Sequence, residues 1–129
     1  MYRSVATNLM VESIGKALEF YEDVLGFSVD ASVPDEKGVS IFAILSKDGT
    51  SIMLQEKGSL VSEYPILDTE RIKPSITLYF IVDDVDAYYE EMKGRYPIYV
   101  ELHTTPYGAR EFAVLDADGY PLTFAGSME

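Results

Sequence analysis

The chain has 129 residues, no cysteine, and a formal net charge of −12 at pH 7. Its length suits a single domain with its own core, and the lack of cysteine excludes disulfides, thiolate nucleophiles and cysteine-based zinc sites. The acidity disfavours nucleic acid and anionic lipid as partners, and since no apolar run approaches the ~20 residues of a membrane span, we expect a cytoplasmic protein.

The first half of the chain predicts a strand, a helix and three further strands. Ser13 is a suitable N-cap, and the apolar residues that follow it recur at helical spacing as far as Gly26, a typical C-terminal stop. The segments before and after this helix show the alternation or the turn signals of strands. The predicted elements are a strand at 2–11, a helix at 13–25, a strand at 27–33, and a hairpin of 39–46 with 50–56.

The second half predicts the same order of elements. Ile76, Leu78 and Phe80 alternate with polar residues in a strand that starts near Pro74, and either Asp83 or Asp84 can cap the following helix. The later elements are a helix ending at Gly94, a strand at 97–102, and a hairpin of 109–116 with 120–126. The residues between the halves, 58–73, read as a connection that has room for a short helical turn.

Two similar hairpin sequences support an internal duplication. Residues 42–49 read FAILSKDG and residues 112–119 read FAVLDADG, so Phe, Ala, Leu, Asp and Gly recur 70 residues apart. Each copy places Asp-Gly between apolar runs, which is a hairpin signal. We therefore predict an α+β protein, in which one domain over 1–129 contains two βαβββ repeat units, at about 1–57 and 74–127.

The predicted elements and two sequence motifs resemble those of a known superfamily. LEFYEDVLGF at 18–27 and YGAREFAVLDADGYPLTF at 107–124, together with the duplicated unit, are similar to the vicinal oxygen chelate superfamily of glyoxalases, extradiol dioxygenases and bleomycin-resistance proteins. The resemblance implies two cup-shaped mixed sheets and is strongest to the metal-free bleomycin-resistance-like branch. It also implies a homodimer.

Metal-dependent members of that superfamily hold one divalent ion with His or Glu side chains from the first and last strands of each unit. Matching the motifs places these four positions at Ala6, Met53, Thr77 and Thr123, and none of these residue types is a usual ligand of catalytic zinc, nickel or iron. We therefore predict no metal, no other cofactor and no catalytic residue. The remaining candidates for relocated ligands are His103, the only histidine, and the carboxylates Glu56, Glu101 and Glu111.

Without a metal, each cup becomes a mostly apolar pocket with a few polar groups, as is usual for small-molecule sites. The predicted ligand-binding residues are those that share the metal face by strand alternation, with two more, Tyr107 and Arg110, from the segment that lines the groove in the bleomycin-resistance-like proteins that the chain resembles. They are Asn8, Met53, Gln55, Thr77, Tyr79, Tyr107, Arg110 and Thr123.

The favoured hypothesis is a metal-free binding protein that sequesters an aromatic or cationic compound, such as an antibiotic. One alternative is a metal-dependent lyase, isomerase or dioxygenase of the same superfamily with relocated ligands. The other is a non-catalytic regulatory or interaction domain.

Overall fold

The computed structural model describes residues 1–127. The chain divides into two compact units, Met1–Lys73 and a second unit that begins at Pro74. No helix within the described residues is long and apolar enough to cross a membrane. The elements are β1 Asn8–Val11, α1 Ile14–Tyr21, β2 Ser28–Pro34, β3 Ser40–Lys47, β4 Thr50–Glu56, α2 Lys57–Glu63, β5 Leu78–Val82, α3 Val85–Lys93, β6 Val100–Thr104, β7 Arg110–Leu115 and β8 Pro121–Gly126, with a 3-10 turn at Pro65–Leu67.

The first unit is a four-stranded mixed sheet in the order β1-β4-β3-β2, with β1 parallel to β4. The Ser13 side chain caps α1 by accepting from the Lys16 amide at 3.2 Å. The apolar face of α1 and one face of the sheet are buried, and they form the core of this unit. That core contains Leu9, Val11, Ile14, Ala17, Phe20, Tyr21, Ala43, Leu45, Ile52 and Leu54.

The second unit repeats this topology in the order β5-β8-β7-β6, with β5 parallel to β8. Asp84 caps α3, since its side chain accepts from the Ala87 amide at 3.1 Å. The core of this unit is aromatic: Phe124 stacks on Phe80 with ring centroids 5.2 Å apart, and Phe112 lies 5.3 Å from Phe124. The α+β fold of two βαβββ units is therefore confirmed.

Several predicted boundaries were wrong. The first strand begins at Asn8 and not at residue 2, because Val5 is 97 % exposed and nothing apolar holds that segment to a sheet. The strand after Pro74 likewise begins only at Leu78. The segment at 58–73 does contain the short helical structure for which the sequence left room, because it holds most of α2. The start of α2 is fixed by Glu56, whose carboxylate accepts from the amides of residues 58 and 59.

The two hairpins differ by one residue in their turns. In the first, Asp48 and Gly49 have φ angles of 50° and 80° and form a two-residue turn between the paired Lys47 and Thr50, as expected for the primed turns that fit the twist of a hairpin. In the second, the ladder ends at Leu115 and Pro121, and the Asp116 amide donates to the Tyr120 carbonyl oxygen at 3.0 Å, so the turn has three residues, 117–119.

That extra residue shifts β7 by one position relative to the sequence repeat. Phe42 pairs with Gln55 and is half-buried, whereas Phe112, at the same place in the repeated sequence, is fully buried on the opposite face of its sheet. A shift of one residue moves a side chain to the other face of a strand. The identical letters in β3 and β7 are therefore not structural equivalents, although the predicted hairpins are both present.

Candidate functional site

Each sheet has one face covered by its own helix, α1 or α3, and a second face that we call the open face. In the first unit, the ladders place Asn8 opposite Met53 and Met10 opposite Gln55 on this face. Ile44 pairs with Met53 from the other side. Met10, Ile44 and Met53 are half-buried, so the open face of the first unit is an apolar floor carrying two side-chain amides.

The two amides of the first open face are joined in a chain of hydrogen bonds. Asn8 Nδ2 donates to Gln55 Oε1 at 2.9 Å. Gln55 Nε2 donates in turn to Ser59 Oγ and to Glu63 Oε1, both at 3.0 Å. Because Ser59 and Glu63 belong to α2, this chain of bonds ties the open face to the helix that follows β4.

The open face of the second unit carries a phenol and a carboxylate. Tyr79 lies opposite Thr123, and Ile81 lies opposite Ala125. The Tyr79 hydroxyl donates to Glu111 Oε2 at 2.7 Å, so the ring extends from β5 across β8 to β7. The Glu111 carboxylate raises the pKa of Tyr79 from 10.0 to about 12, mainly by accepting this hydrogen bond. At neutral pH the phenol is therefore a neutral donor.

One position in the last strand of each unit contributes to the difference between the two faces. Gln55 in β4 and Ala125 in β8 occupy matching places, one rung beyond Met53 and Thr123. The long Gln55 side chain meets Asn8 directly, whereas the small Ala125 leaves room for Tyr79 to reach the next strand. Side chains on diagonal positions of neighbouring strands are close enough for such contacts.

The residues on these faces do not fit the divalent metal that enzymes of the resembling superfamily hold. Ala6 and Thr77 lie just before β1 and β5 and are exposed, and the residues that face Met53 and Thr123 across the ladders are Asn8 and Tyr79. Amide, thioether, hydroxyl and protonated phenol groups are poor ligands for zinc, nickel or iron. Among residues 1–127, no three His, Cys, Asp or Glu side chains are grouped as a metal site.

The other carboxylates considered as relocated ligands have structural partners. Glu56 caps α2, and Glu101 accepts a hydrogen bond from the Tyr89 hydroxyl. Glu111 accepts from Tyr79. His103 is exposed, and its Nδ1 lies 2.8 Å from the Glu101 carbonyl oxygen. Each of the four residues therefore has a hydrogen-bond partner within the protein.

The structure separates the eight predicted ligand-binding residues into groups. Three lie on the open face of the first unit and two on that of the second, as strand alternation predicted: Asn8, Met53, Gln55, Tyr79 and Thr123. Arg110 alternates with Glu111 and so lies on the helix side, where its Nε is 3.4 Å from Asp86 Oδ1. Tyr107 is in the loop between β6 and β7 and is 62 % exposed, and Thr77 lies just before β5 and is also exposed.

Sequence reasoning missed residues that complete both faces. Phe42 and Ile44 share the first open face, and alternation within β3 would have identified them. Ser59 and Glu63 contact Gln55 from a segment read as a connection, and no sequence pattern indicated this contact. The contact of Glu111 with Tyr79 was not predicted either.

Comparison with known proteins places this fold in a family. Residues 3–124 match the model of the Glyoxalase/Bleomycin resistance protein/Dioxygenase superfamily. The uncharacterized protein YwbC of Bacillus subtilis (strain 168) is 31 % identical over 122 residues, which cover 92 % of each chain.

Solved structures of low sequence identity share the fold. A glyoxalase/bleomycin resistance protein/dioxygenase from Nocardioides superposes with a TM-score of 0.76 at 20 % identity, covering 100 % of this chain and 87 % of that one. The lactoylglutathione lyase of Agrobacterium tumefaciens superposes with a TM-score of 0.75 at 18 % identity, covering 98 % and 94 %. From the match over residues 3–124 we conclude that the chain belongs to the glyoxalase/bleomycin resistance protein/dioxygenase superfamily.

Proposed function

We propose that this protein binds a small aromatic or cationic molecule on its open faces and carries out no metal-dependent chemistry. The observation that carries the proposal is the pair of rungs Asn8–Met53 and Tyr79–Thr123. Met53 and Thr123, one residue of each rung, are two of the four positions at which the resemblance places metal ligands. Both rungs present groups suited to an organic molecule, an apolar surface with a few polar contacts.

The second open face favours a cation. Glu111 is half-buried and accepts from the Tyr79 hydroxyl, and Tyr79 is 51 % exposed. A carboxylate beside an exposed aromatic ring attracts an ammonium group through charge and through the ring face. The net charge of −12 adds a long-range attraction for cations.

The first test compares three probes of one size. Benzylamine is cationic, benzyl alcohol is neutral and benzoate is anionic, and each is titrated into isotope-labelled protein while the amide signals of β5, β7 and β8 are followed. We expect the affinity to fall in the order benzylamine, benzyl alcohol, benzoate. Glu111→Gln should remove the preference for the amine, and Glu22→Gln, an exposed carboxylate beyond α1, is the charge-matched control.

The second test measures metal content. The protein is incubated with zinc, nickel, manganese and ferrous iron, desalted, and assayed for bound metal. We expect less than about a tenth of an equivalent of each, because the available donors are poor ligands. Stoichiometric binding that Glu101→Gln or Glu111→Gln abolishes would replace this proposal with a metal-dependent enzyme, and conversion of a probe by the metal-loaded protein would do the same.

The proposal includes a homodimer, which the resemblance to the bleomycin-resistance-like proteins implies. Its support in this chain is a set of exposed apolar side chains: Val33, Ile81, Tyr99 and Val100. Sedimentation equilibrium measures the mass directly, and a mass near 14.4 kDa at all concentrations would contradict the dimer. Since bleomycin resistance is part of the family description, cationic antibiotics belong in the ligand panel that follows.

A further inference from the structure

The first open face contains a buried acceptor without a donor. Asn8 Oδ1 is buried, and no group in residues 1–127 donates a hydrogen bond to it. A buried carbonyl oxygen left without a donor is costly, and such groups in folded proteins usually have a specific explanation. The neighbouring contacts explain why this oxygen, and not the amide nitrogen, is left over.

The orientation of the two amides is dictated from α2. An ionised carboxylate such as that of Glu63 only accepts hydrogen bonds, so the Gln55 group that faces it at 3.0 Å must be the amide nitrogen Nε2. Gln55 therefore turns its Oε1 toward Asn8. Rotating the Gln55 amide by half a turn would bring two oxygens together at this distance.

The orientation of the Gln55 amide in turn fixes that of the Asn8 amide. Because Gln55 Oε1 is an acceptor, Asn8 must present Nδ2 to it, and this bond is 2.9 Å long. Asn8 Oδ1 then has no partner, and it cannot exchange places with Nδ2 without breaking the chain of bonds back to Glu63. A carboxylate on α2 thus sets which atom of Asn8 remains available.

The surroundings of Asn8 are apolar and adaptable. Met53 lies directly opposite Asn8, with Ile44 on the next strand and Met10 one rung away. Methionine side chains have three rotatable bonds and adjust to irregular shapes, so this part of the face can adapt to a ligand that approaches Asn8. The face can therefore hold an apolar ligand that donates one hydrogen bond to Asn8 Oδ1.

We propose that the first open face selects ligands that present an N–H or O–H donor to Asn8 Oδ1 from an otherwise apolar, aromatic body, and that Glu63 sets this preference without touching the ligand. The inference rests on the small-molecule binding proposed above and names the ligand chemistry of one of its two faces. Asn8 is the binding residue, and Glu63, acting through Gln55, is a positioning residue.

The test compares indole with benzofuran, which have the same shape but differ in an N–H donor. Each is titrated into the full chain labelled at the methionine methyl groups, and the signals of Met10 and Met53 report binding. We expect indole to bind between about 3-fold and about 10-fold more tightly than benzofuran, the effect of one net hydrogen bond.

Two variants separate the roles of the residues. Glu63→Gln lets the residue at 63 donate as well as accept, so both amides can reverse and the indole preference should fall toward 1; Glu19→Gln, an exposed carboxylate on α1, should keep the full preference. Asn8→Leu should abolish the preference while retaining the apolar floor. Glu63 is exposed, so its variant is expected to fold even if Asn8→Leu does not.

Equal affinity for indole and benzofuran in the unmodified protein would overturn this inference and leave the proposed function standing, since it would mean that water serves Asn8 Oδ1. An unchanged preference in Glu63→Gln would overturn the positioning role of Glu63. If neither probe shifts the Met10 and Met53 signals and the benzylamine series also fails to bind, the proposed function falls and this inference with it.

Discussion

Tyr79 and Glu111 are joined by a hydrogen bond of 2.7 Å that crosses the strand lying between them. The bond links β5 to β7 over β8, on the face of the second sheet that α3 does not cover. It also couples the protonation of an exposed phenol to the fold, because the bond requires the phenol proton.

The contribution of the Tyr79–Glu111 contact to stability should decrease at high pH. Tyr79 holds its proton more tightly in the folded chain, where its pKa is raised to about 12, than in the unfolded chain, where the ordinary value is 10.0. Its contribution to stability is therefore complete below about pH 10 and is lost as the pH rises through about 12. Tyr79→Phe should remove this part of the pH dependence of the free energy of unfolding.

Tyrosine ring-carbon NMR signals measure the titration directly. We expect the Tyr79 signal to titrate near pH 12 and to shift back toward pH 10 in Glu111→Gln, which cannot accept the bond as an anion. A Tyr79 midpoint that stays the same in Glu111→Gln would show that the carboxylate is not the cause of the raised pKa.

Phe42 and Phe112 lie on opposite faces of their sheets, so replacing each by alanine should lower the free energy of unfolding by different amounts. Phe112→Ala removes a fully buried ring that packs on Phe124 and Tyr89, and should lower the free energy of unfolding by about 3–5 kcal/mol. Phe42→Ala removes a half-buried ring from an open face and should cost less than half as much. Urea unfolding of the two variants side by side measures both values, and equal costs would contradict the one-residue shift.

Two aspartates accept hydrogen bonds from amides of their own loops in the same way, but one is buried and the other is exposed. Asp116 Oδ1 accepts from the amides of Asp118 and Tyr120 at 2.9 Å, and Asp35 Oδ1 accepts from those of Lys37 and Val39 at 2.8 and 3.0 Å. Asp116 is 5 % exposed, whereas the Asp35 loop is open to water.

Asp116→Ala should therefore lower the free energy of unfolding by about 1.5–3 kcal/mol, because buried amides lose a charged acceptor. Asp35→Ala should cost below about 1 kcal/mol, since water replaces the lost acceptor. Thermal or urea unfolding checks the difference. Asp116→Asn keeps the Oδ1 acceptor and should recover part of the loss.

Glu56 is the N-cap of α2, so removing its side chain should destabilise mainly that helix. The carboxylate accepts from the amides of Gly58 and Ser59 at 2.9 and 3.0 Å, so Glu56→Ala should cost about 0.5–2 kcal/mol, the range for removal of an N-cap. Hydrogen exchange should show faster exchange of the α2 amides, with α1 unchanged. Uniformly faster exchange across both helices would mean that α2 unfolds only together with the rest of its unit.

The candidate site could be predicted only in part. The resemblance supplied one position in each strand, and alternation extended it along that strand to Asn8 and Tyr79, which the ladders place opposite Met53 and Thr123. Alternation did not identify the partner of Arg110, which is Asp86 on α3. That contact joins elements far apart in sequence, and a local pattern carries no information about it.

The sequence by itself determined the order of elements, because each depends on near neighbours along the chain. The caps Ser13 and Asp84 begin α1 and α3, and the Asp48-Gly49 turn closes the first hairpin. Helical and strand periods follow from backbone geometry within a few residues.

Only the tertiary structure decided which side chains meet on the open faces. One additional residue in the second hairpin turn brings Glu111, and not Phe112, to the position that Phe42 occupies in the first unit. The direction of the amides of Asn8 and Gln55 depends on Glu63, in the helix after the hairpin. Both outcomes follow from register and hydrogen-bond polarity between segments, which are set when the chain packs and not by the local sequence.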